Sequence, residues 1–243
     1  MLVDVGRFKE LIRKATLNYL LDSVQLNVTE EGWIETSMIG SDKSVITILK
    51  VKNDIFTGTK EEFSLNFTNP NTEVKPFLDL IDDEEVEFKL KKNEFVLNDQ
   101  YTLCLDDPSV ISTFNGKSIE DNVEFFTKLF FCEDFTQSFS KIKKIGSRFG
   151  KVYFIVEKEK LYIETSDRLS KYSNKLRFLL AENIKHDDIV LCIDYTNMVK
   201  LMSVIDDSFT IQLTYFEDQE MGGLYCENTD KSEKYFVSSM QDE

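Results

Sequence analysis

The sequence predicts an α+β fold built from two copies of one β-rich unit, each with two helices packed on antiparallel sheets. Three observations carry this. Short runs that alternate apolar and polar residues recur along the whole chain. Two longer segments with helical period, at 6–20 and 135–149, occupy matching places in two series of strands. Two short peptides also repeat: Ile34-Glu35-Thr36-Ser37 returns as Ile163-Glu164-Thr165-Ser166, an offset of 129, and Ile81-Asp82-Asp83 returns as Ile205-Asp206-Asp207, an offset of 124. Both fall at corresponding points in the order of elements, the mark of an internal duplication.

In the first copy, Phe8, Leu11, Ile12, Ala15 and Tyr19 recur at three- and four-residue steps and predict an amphipathic helix over 6–20. Alternating runs at 24–28, 32–38, 44–51 and 61–67 are rich in Val, Ile, Thr and Phe and predict half-buried strands, with Glu30-Glu31-Gly32 as a tight turn. A second, short helix is expected over 72–81, with Val74, Phe77, Leu78 and Ile81 on one side, although Pro76 is awkward within a helix unless it sits in the first turn. Strands at 86–91, 94–98 and 101–105 close the copy. The stretch 106–122 is rich in Asp, Ser, Asn, Gly and Pro and has no sustained period, so it reads as a linker. The expected organisation is a first domain at 1–107, a connector at 108–122 and a second domain at 123–243.

The second copy repeats the order. A strand at 125–131 leads to a helix at 135–149, then strands at 152–156, 160–166, 175–180 and 189–195. A short helix near 197–205 and strands at 209–216, 223–228 and 234–239 follow.

Composition narrows the function classes. With 42% hydrophobic and 12% aromatic residues, the chain fills a core and does not read as disordered. No stretch approaches the roughly 20 apolar residues that span a bilayer, so no membrane association is expected. No basic region followed by an apolar run opens the sequence, so no secretory signal is expected either. Cys104, Cys132, Cys192 and Cys226 lie far apart and predict free, buried thiols. The single histidine, His186, shares no ligand spacing with them, so neither a metal nor a cofactor is expected.

The net charge of −15 argues at first against a nucleic-acid partner. Its distribution reverses that reading. Residues 6–20 carry a net +3 and residues 135–151 a net +5, which leaves −23 on the other 211 residues. On the second helix Phe135, Phe139, Ile142 and Phe149 share one side, while Lys141, Lys144 and Arg148 line another. Like charges at that spacing repel, so the stripe is not there for helix stability. One such stripe is an ordinary solvated face. Two, at matching places in an acidic chain, point to an anionic partner.

With these segments in view, the chain resembles sliding clamps of the proliferating cell nuclear antigen type and their phage and viral relatives. The stretch SFSKIKKIGSRFGKVYFIVEKEKLYIETS resembles the basic helix, strand and hairpin that open the family's second domain. Residues 195–205 resemble that domain's second helix, Glu35–Met38 with Ser44–Ile46 a loop and strand bordering the partner pocket, and 234–243 a last strand with an acidic tail. The resemblance implies the duplicated clamp fold, a head-to-tail homotrimeric ring with helices lining a central hole, and an acidic exterior. It implies a non-enzymatic processivity factor that encircles duplex DNA without reading bases and tethers a DNA polymerase. A clamp-loader ATPase would open the ring, since the chain has no GxxxxGK[ST] of its own. The setting would be intracellular: the nucleus in a eukaryote, the host cytoplasm for a phage or bacterial type.

On the same grounds Arg7, Lys9, Arg13, Lys14, Lys141, Lys143, Lys144 and Arg148 become candidate channel cations, with Lys75 and Lys200 from the shorter helices. Met38, Val45, Val110, Ile111, Phe114, Phe236 and Val237 become a candidate partner pocket. Tyr101, Leu103 and Leu105 on one edge strand, and Lys175, Arg177 and Leu179 on another, become the candidate subunit contact. Two alternatives stay open. One is a checkpoint-type or viral clamp-like subunit serving transcription or repair, including a monomeric processivity factor. The other is a two-domain α+β hydrolase using Asp82-Asp83, Asp106-Asp107 or Asp206-Asp207 as paired carboxylates.

Overall fold

The computed structural model describes residues 1–59, 61–115, 119, 124–130, 133–168, 174–184, 189–216 and 221–240. Cys132, His186 and much of the expected connector lie outside this set. The chain divides into two compact units, Met1–Asn115 with Ser232–Lys234, and Gly116–Lys231 with Tyr235–Glu243. The division point falls within 108–122.

The first unit runs β1 (Leu2–Asp4), α1 (Val5–Ala15), β2 (Ser23–Val28), β3 (Trp33–Ile39), β4 (Val45–Lys52), β5 (Phe56–Thr57) and β6 (Phe63–Thr68). It continues with α2 (Pro70–Glu73), α3 (Lys75–Asp79), β7 (Glu85–Lys91), β8 (Glu94–Leu97) and β9 (Tyr101–Cys104). One sheet has the order β5-β1-β7-β8-β9 and the other contains β6-β2-β3-β4. Strands β2 and β3 bury every second residue, as their alternation requires. Phe8 from α1 meets Phe56 and Phe95 edge to face at 5.4 and 5.6 Å, and Phe63 and Phe88 extend the cluster. Such edge-to-face pairs add to plain area burial and seat the helix on the sheet.

The second unit runs β10 (Glu124–Phe130), α4 (Glu133–Gly146), β11 (Lys151–Glu157), β12 (Lys160–Ser166), β13 (Lys175–Glu182) and β14 (Ile189–Asp194). Then come α5 (Tyr195–Met202), β15 (Phe209–Phe216), β16 (Met221–Asn228) and β17 (Glu233–Ser238). One sheet has the order β13-β12-β11-β14 and another contains β10-β15-β16-β17. Strand β11 is buried from Val152 to Val156 without alternation. On it Tyr153 and Ile155 pack with Cys192, and Tyr162 lies against them.

The duplication is visible in the topology. If β5 is set aside as an insertion, β1-β7-β8-β9 corresponds strand for strand to β10-β15-β16-β17, and β4-β3-β2-β6 to β13-β12-β11-β14. The repeated tetrapeptide lies on β3 and on β12, which are equivalent strands. The repeated Ile-Asp-Asp follows α3 and α5.

Several elements depart from expectation. The helix expected over 6–20 stops at Ala15, because Leu17, Asn18 and Tyr19 take positive φ values of 48°, 54° and 60°. Leu17 is buried in this turn, and the Thr16 hydroxyl donates to the Ile12 carbonyl, ending the helix. Tyr19 therefore does not belong to the helical face. The helix expected over 72–81 is two short ones joined at Val74, with Pro76 in the first turn of α3, where its missing N–H is harmless. Phe77, assigned to the buried side, is exposed. The helix expected over 135–149 starts earlier and ends at Gly146, and Phe149 is only half-buried. Cys192 and Cys226 are buried free thiols, but Cys104 is exposed on β9, against the expectation of burial. Burial pushes the Cys226 thiol far up from its ordinary value.

Candidate nucleic-acid interface

Helix α1 is seated by its apolar face: Val5, Phe8, Leu11, Ile12 and Ala15 are all buried. The Asp4 carboxylate caps its start, accepting from the Arg7 N–H at 2.9 Å. The remaining positions hold the cations, and each has an acidic partner. The Arg7 guanidinium donates to Asp54 and lies 3.4 Å from Asp4. Lys9 is 3.6 Å from Asp79, Arg13 pairs with Glu10 at 2.6 Å, and Lys14 with Glu233 at 2.6 Å. Lys75 on α3 reaches the same Asp79 at 2.7 Å. The hydrogen bond from Arg13 holds the Glu10 carboxyl below the usual glutamate range, and that from Lys75 does the same for Asp79. Asp79 in turn raises the Lys75 ammonium.

Helix α4 is built the same way and charged differently. Phe135, Phe139 and Ile142 are buried, Ile142 completely. Lys141, Lys143, Lys144 and Arg148 are all exposed. Lys141 extends over the Phe178 ring at 5.2 Å, a contact that leaves its charge uncompensated. Lys143, Lys144 and Arg148 have no ion-pair partner among the described residues. The end of the helix is pinned: the Tyr195 hydroxyl donates to the Lys143 carbonyl at 2.8 Å. A Cβ on Gly146 would stand 2.6 Å from the Tyr195 ring, so only glycine fits there. Helix α5 starts on the Asp194 cap and buries Met198 and Leu201, which leaves Lys200 half-buried on another side.

The candidate partner-pocket residues separate into two groups. Met38, Val45 and Ile111 in the first unit are 0%, 1% and 7% exposed, and Phe236 and Val237 in the second are 5% and 0% exposed. These five fill cores. Val110 is 58% exposed and Phe114 half-buried. Residues 112–114 run antiparallel to β3. The Ile39 N–H donates to the Ser112 carbonyl at 3.2 Å, and Phe114 exchanges backbone and hydroxyl bonds with Ser37 at 3.0 Å. The β2–β3 register ends at Asn27↔Glu35, so this segment satisfies the part of β3 that β2 leaves open.

The two candidate subunit-contact strands, β9 and β13, are the end strands of their sheets. On β9 Leu103 is buried while Thr102 and Cys104 are exposed, and Tyr101 and Leu105 are half-buried. On β13 Lys175 and Leu179 are exposed, and the Arg177 guanidinium stacks 3.9 Å over Tyr162 while bonding Glu157 at 2.7 Å. Sequence reasoning missed a cleft of about 280 Å³ beside β9, lined by Phe67, Val74, Phe77, Leu103, Glu73 and Asp106 among others. Its walls come from four separate elements, so no local pattern marks it.

Asp106, Asp107 and Asp206 from the candidate carboxylate pairs hold nearby backbone. Asp106 accepts from the Thr68 N–H and hydroxyl, Asp107 from the Ser109 N–H, and Asp206 from the Ser208 N–H and hydroxyl. Among the described residues no group of three or more His, Cys, Asp or Glu is arranged to hold a metal, and no helix is long and apolar enough to cross a membrane.

No family model matches the chain, and no curated protein does. Solved structures do. A PCNA from Thermococcus kodakaraensis aligns over 99% of both chains with a TM-score of 0.62 and 14% identity. A PCNA from A. fulgidus, bound to the C-terminal region of FEN-1, aligns over 100% of this chain and 98% of its own, with a TM-score of 0.64 and 15% identity. The DNA polymerase III beta chain of Streptococcus pneumoniae gives a TM-score of 0.68 at 12% identity, and this chain spans 64% of its length. The chain thus has the DNA sliding-clamp fold.

Proposed function

We propose that this chain is a subunit of a sliding clamp, a non-enzymatic ring that encircles duplex DNA and tethers a DNA polymerase. The observation that carries the reading is α4. A helix docked by Phe135, Phe139 and Ile142, with the turn after it, presents Lys143, Lys144 and Arg148 without an ion-pair partner among the described residues, in a chain whose net charge is −15. Phosphate contacts of this kind hold without reading sequence, which sliding demands, because base-specific bonds would trap the ring. The acidic remainder repels DNA from every other face.

In this reading three copies close head to tail, with β9 of one subunit pairing β13 of the next. Such pairing satisfies two sheet edges that otherwise invite aggregation. Lys175, Arg177 and Leu179 would meet Tyr101, Leu103 and Leu105, with Leu179 entering the cleft beside β9 and the β13 cations facing Glu73 and Asp106. Polymerase and other replication proteins would dock at Val110 and Phe114, which offer the accessible apolar surface of the candidate pocket. An ATPase supplied in trans would load the ring inside the cell.

Light scattering tests the assembly. The expected mass is about three times 28.3 kDa, and Leu179→Asp should reduce it to one chain without unfolding. A monomer at working concentration that also fails to remain on end-blocked DNA would overturn the reading. A chain that is monomeric alone but joins a different clamp chain would instead belong to a heteromeric ring.

A further inference from the structure

The two basic helices look equivalent in sequence, but their surroundings differ. In the first unit five cations, Arg7, Lys9, Arg13, Lys14 and Lys75, stand among five carboxylates, Asp4, Glu10, Asp54, Asp79 and Glu233, each within ion-pair distance of a cation. The set sums to zero. In the second unit Lys141, Lys143, Lys144 and Arg148 are exposed, and the last three carry no ion pair among the described residues.

We propose that α4 carries the phosphate contacts of this clamp, and that α1, its charge cancelled from within its own unit, contributes little. The inference rests on the sliding-clamp reading and deepens it. The reason is not that the α1 ion pairs are hard to break, since exposed pairs are weak. A phosphate that displaces Glu10 from Arg13 still has the Glu10 carboxylate beside it on the same helix, inside the Debye length of about 8 Å. Binding driven by counterion release follows the net positive charge brought to the backbone, and α1 with Lys75 brings none. The segment 135–148, the C-terminal part of α4 and the turn after it, holds four cations and no acidic residue per subunit. The consequence is a ring whose grip alternates, one unit of each subunit holding the duplex and the other spacing it.

Equilibrium binding of the full chain to short duplex DNA, followed by anisotropy from about 50 to 200 mM salt, tests this. Lys143→Gln/Lys144→Gln/Arg148→Gln should lower the slope of log affinity against log salt by about three for each subunit that touches the duplex and weaken binding roughly tenfold or more. Arg7→Gln/Asp54→Asn with Arg13→Gln/Glu10→Gln, which remove two cations together with their carboxylates, should change the slope by less than about one. Glu10→Gln/Asp79→Asn, which unmasks Arg13, Lys9 and Lys75, should tighten binding. Lys144→Glu alone gives a second measurement if the triple α4 variant misfolds. Equal losses from the two cation sets, or no effect of the carboxylate variant, would overturn the asymmetry and leave the clamp reading standing. Absence of salt-dependent binding by the unaltered chain would overturn both.

Discussion

At the scale of single residues, the repeated tetrapeptide shows how far identity of sequence carries. Glu35 and Glu164 occupy the same place in two equivalent strands, yet Glu35 is an exposed partner of Lys50 at 2.6 Å, while the Glu164 side chain is 6% exposed. Glu164 accepts from the Ser166 hydroxyl at 2.8 Å and lies 3.7 Å from both Arg168 and Arg177. Removing a buried acceptor strands its donors, whereas removing an exposed one costs little. Glu164→Ala is therefore expected to lower unfolding free energy by about 1.5–3 kcal/mol, and Glu35→Ala by less than about 1 kcal/mol, measured by urea denaturation. The periodicity of 160–166 located the strand but carried no trace of which face its neighbours would cover. A second test concerns Glu10. Its carboxyl is depressed by Arg13, so the pair's small contribution is complete at neutral pH and lost as pH falls through the lowered folded-state value. An NMR titration of Arg13→Gln should show the Glu10 midpoint rising towards the ordinary glutamate range.

At the scale of elements, the amphipathic pattern of α1 and α4 was legible because a buried helical stripe leaves a period of 3.6 in the sequence. Their ends were not. The stop after Ala15 is set by a buried Leu17 in a left-handed turn, a tertiary demand with no local sign. The partners of the α1 cations were equally hidden, because Asp54, Asp79 and Glu233 come from distant loops and strands. The seating of α4 gives a prediction of unusual sign. Gly→Ala within a helix ordinarily stabilises, by about 0.5–1 kcal/mol. At Gly146 the added methyl would overlap the Tyr195 ring and disturb its bond to the Lys143 carbonyl. Gly146→Ala is expected to destabilise by roughly 1–3 kcal/mol. Tyr195→Ala/Gly146→Ala should recover part of that loss, a coupling that a double-mutant cycle measures.

At the scale of the whole molecule, duplication and charge segregation were both readable without coordinates, and the topology repeats strand for strand. Val45 and Phe236, each in a strand-like run, already read as core, whereas the cleft beside β9 and the burial of Met38, Ile111 and Val237 were not readable. Both depend on which strands become neighbours, and apolar residues in a short polar context look alike whether they seal a core or line a groove. Val110, Ile111 and Phe114 share a polar segment that supplies no core of its own, yet only Val110 is exposed and Phe114 half-buried, while Ile111 is buried. The central claim is that the protein surrounds DNA rather than adhering to it. The direct measurement loads it at high concentration through the open end of a duplex blocked at the other end, then blocks the open end and raises the salt. Phosphate contacts are screened under those conditions. Retention that persists in high salt and vanishes when the duplex is cut is the expected result. Release in high salt from blocked and open DNA alike would contradict it.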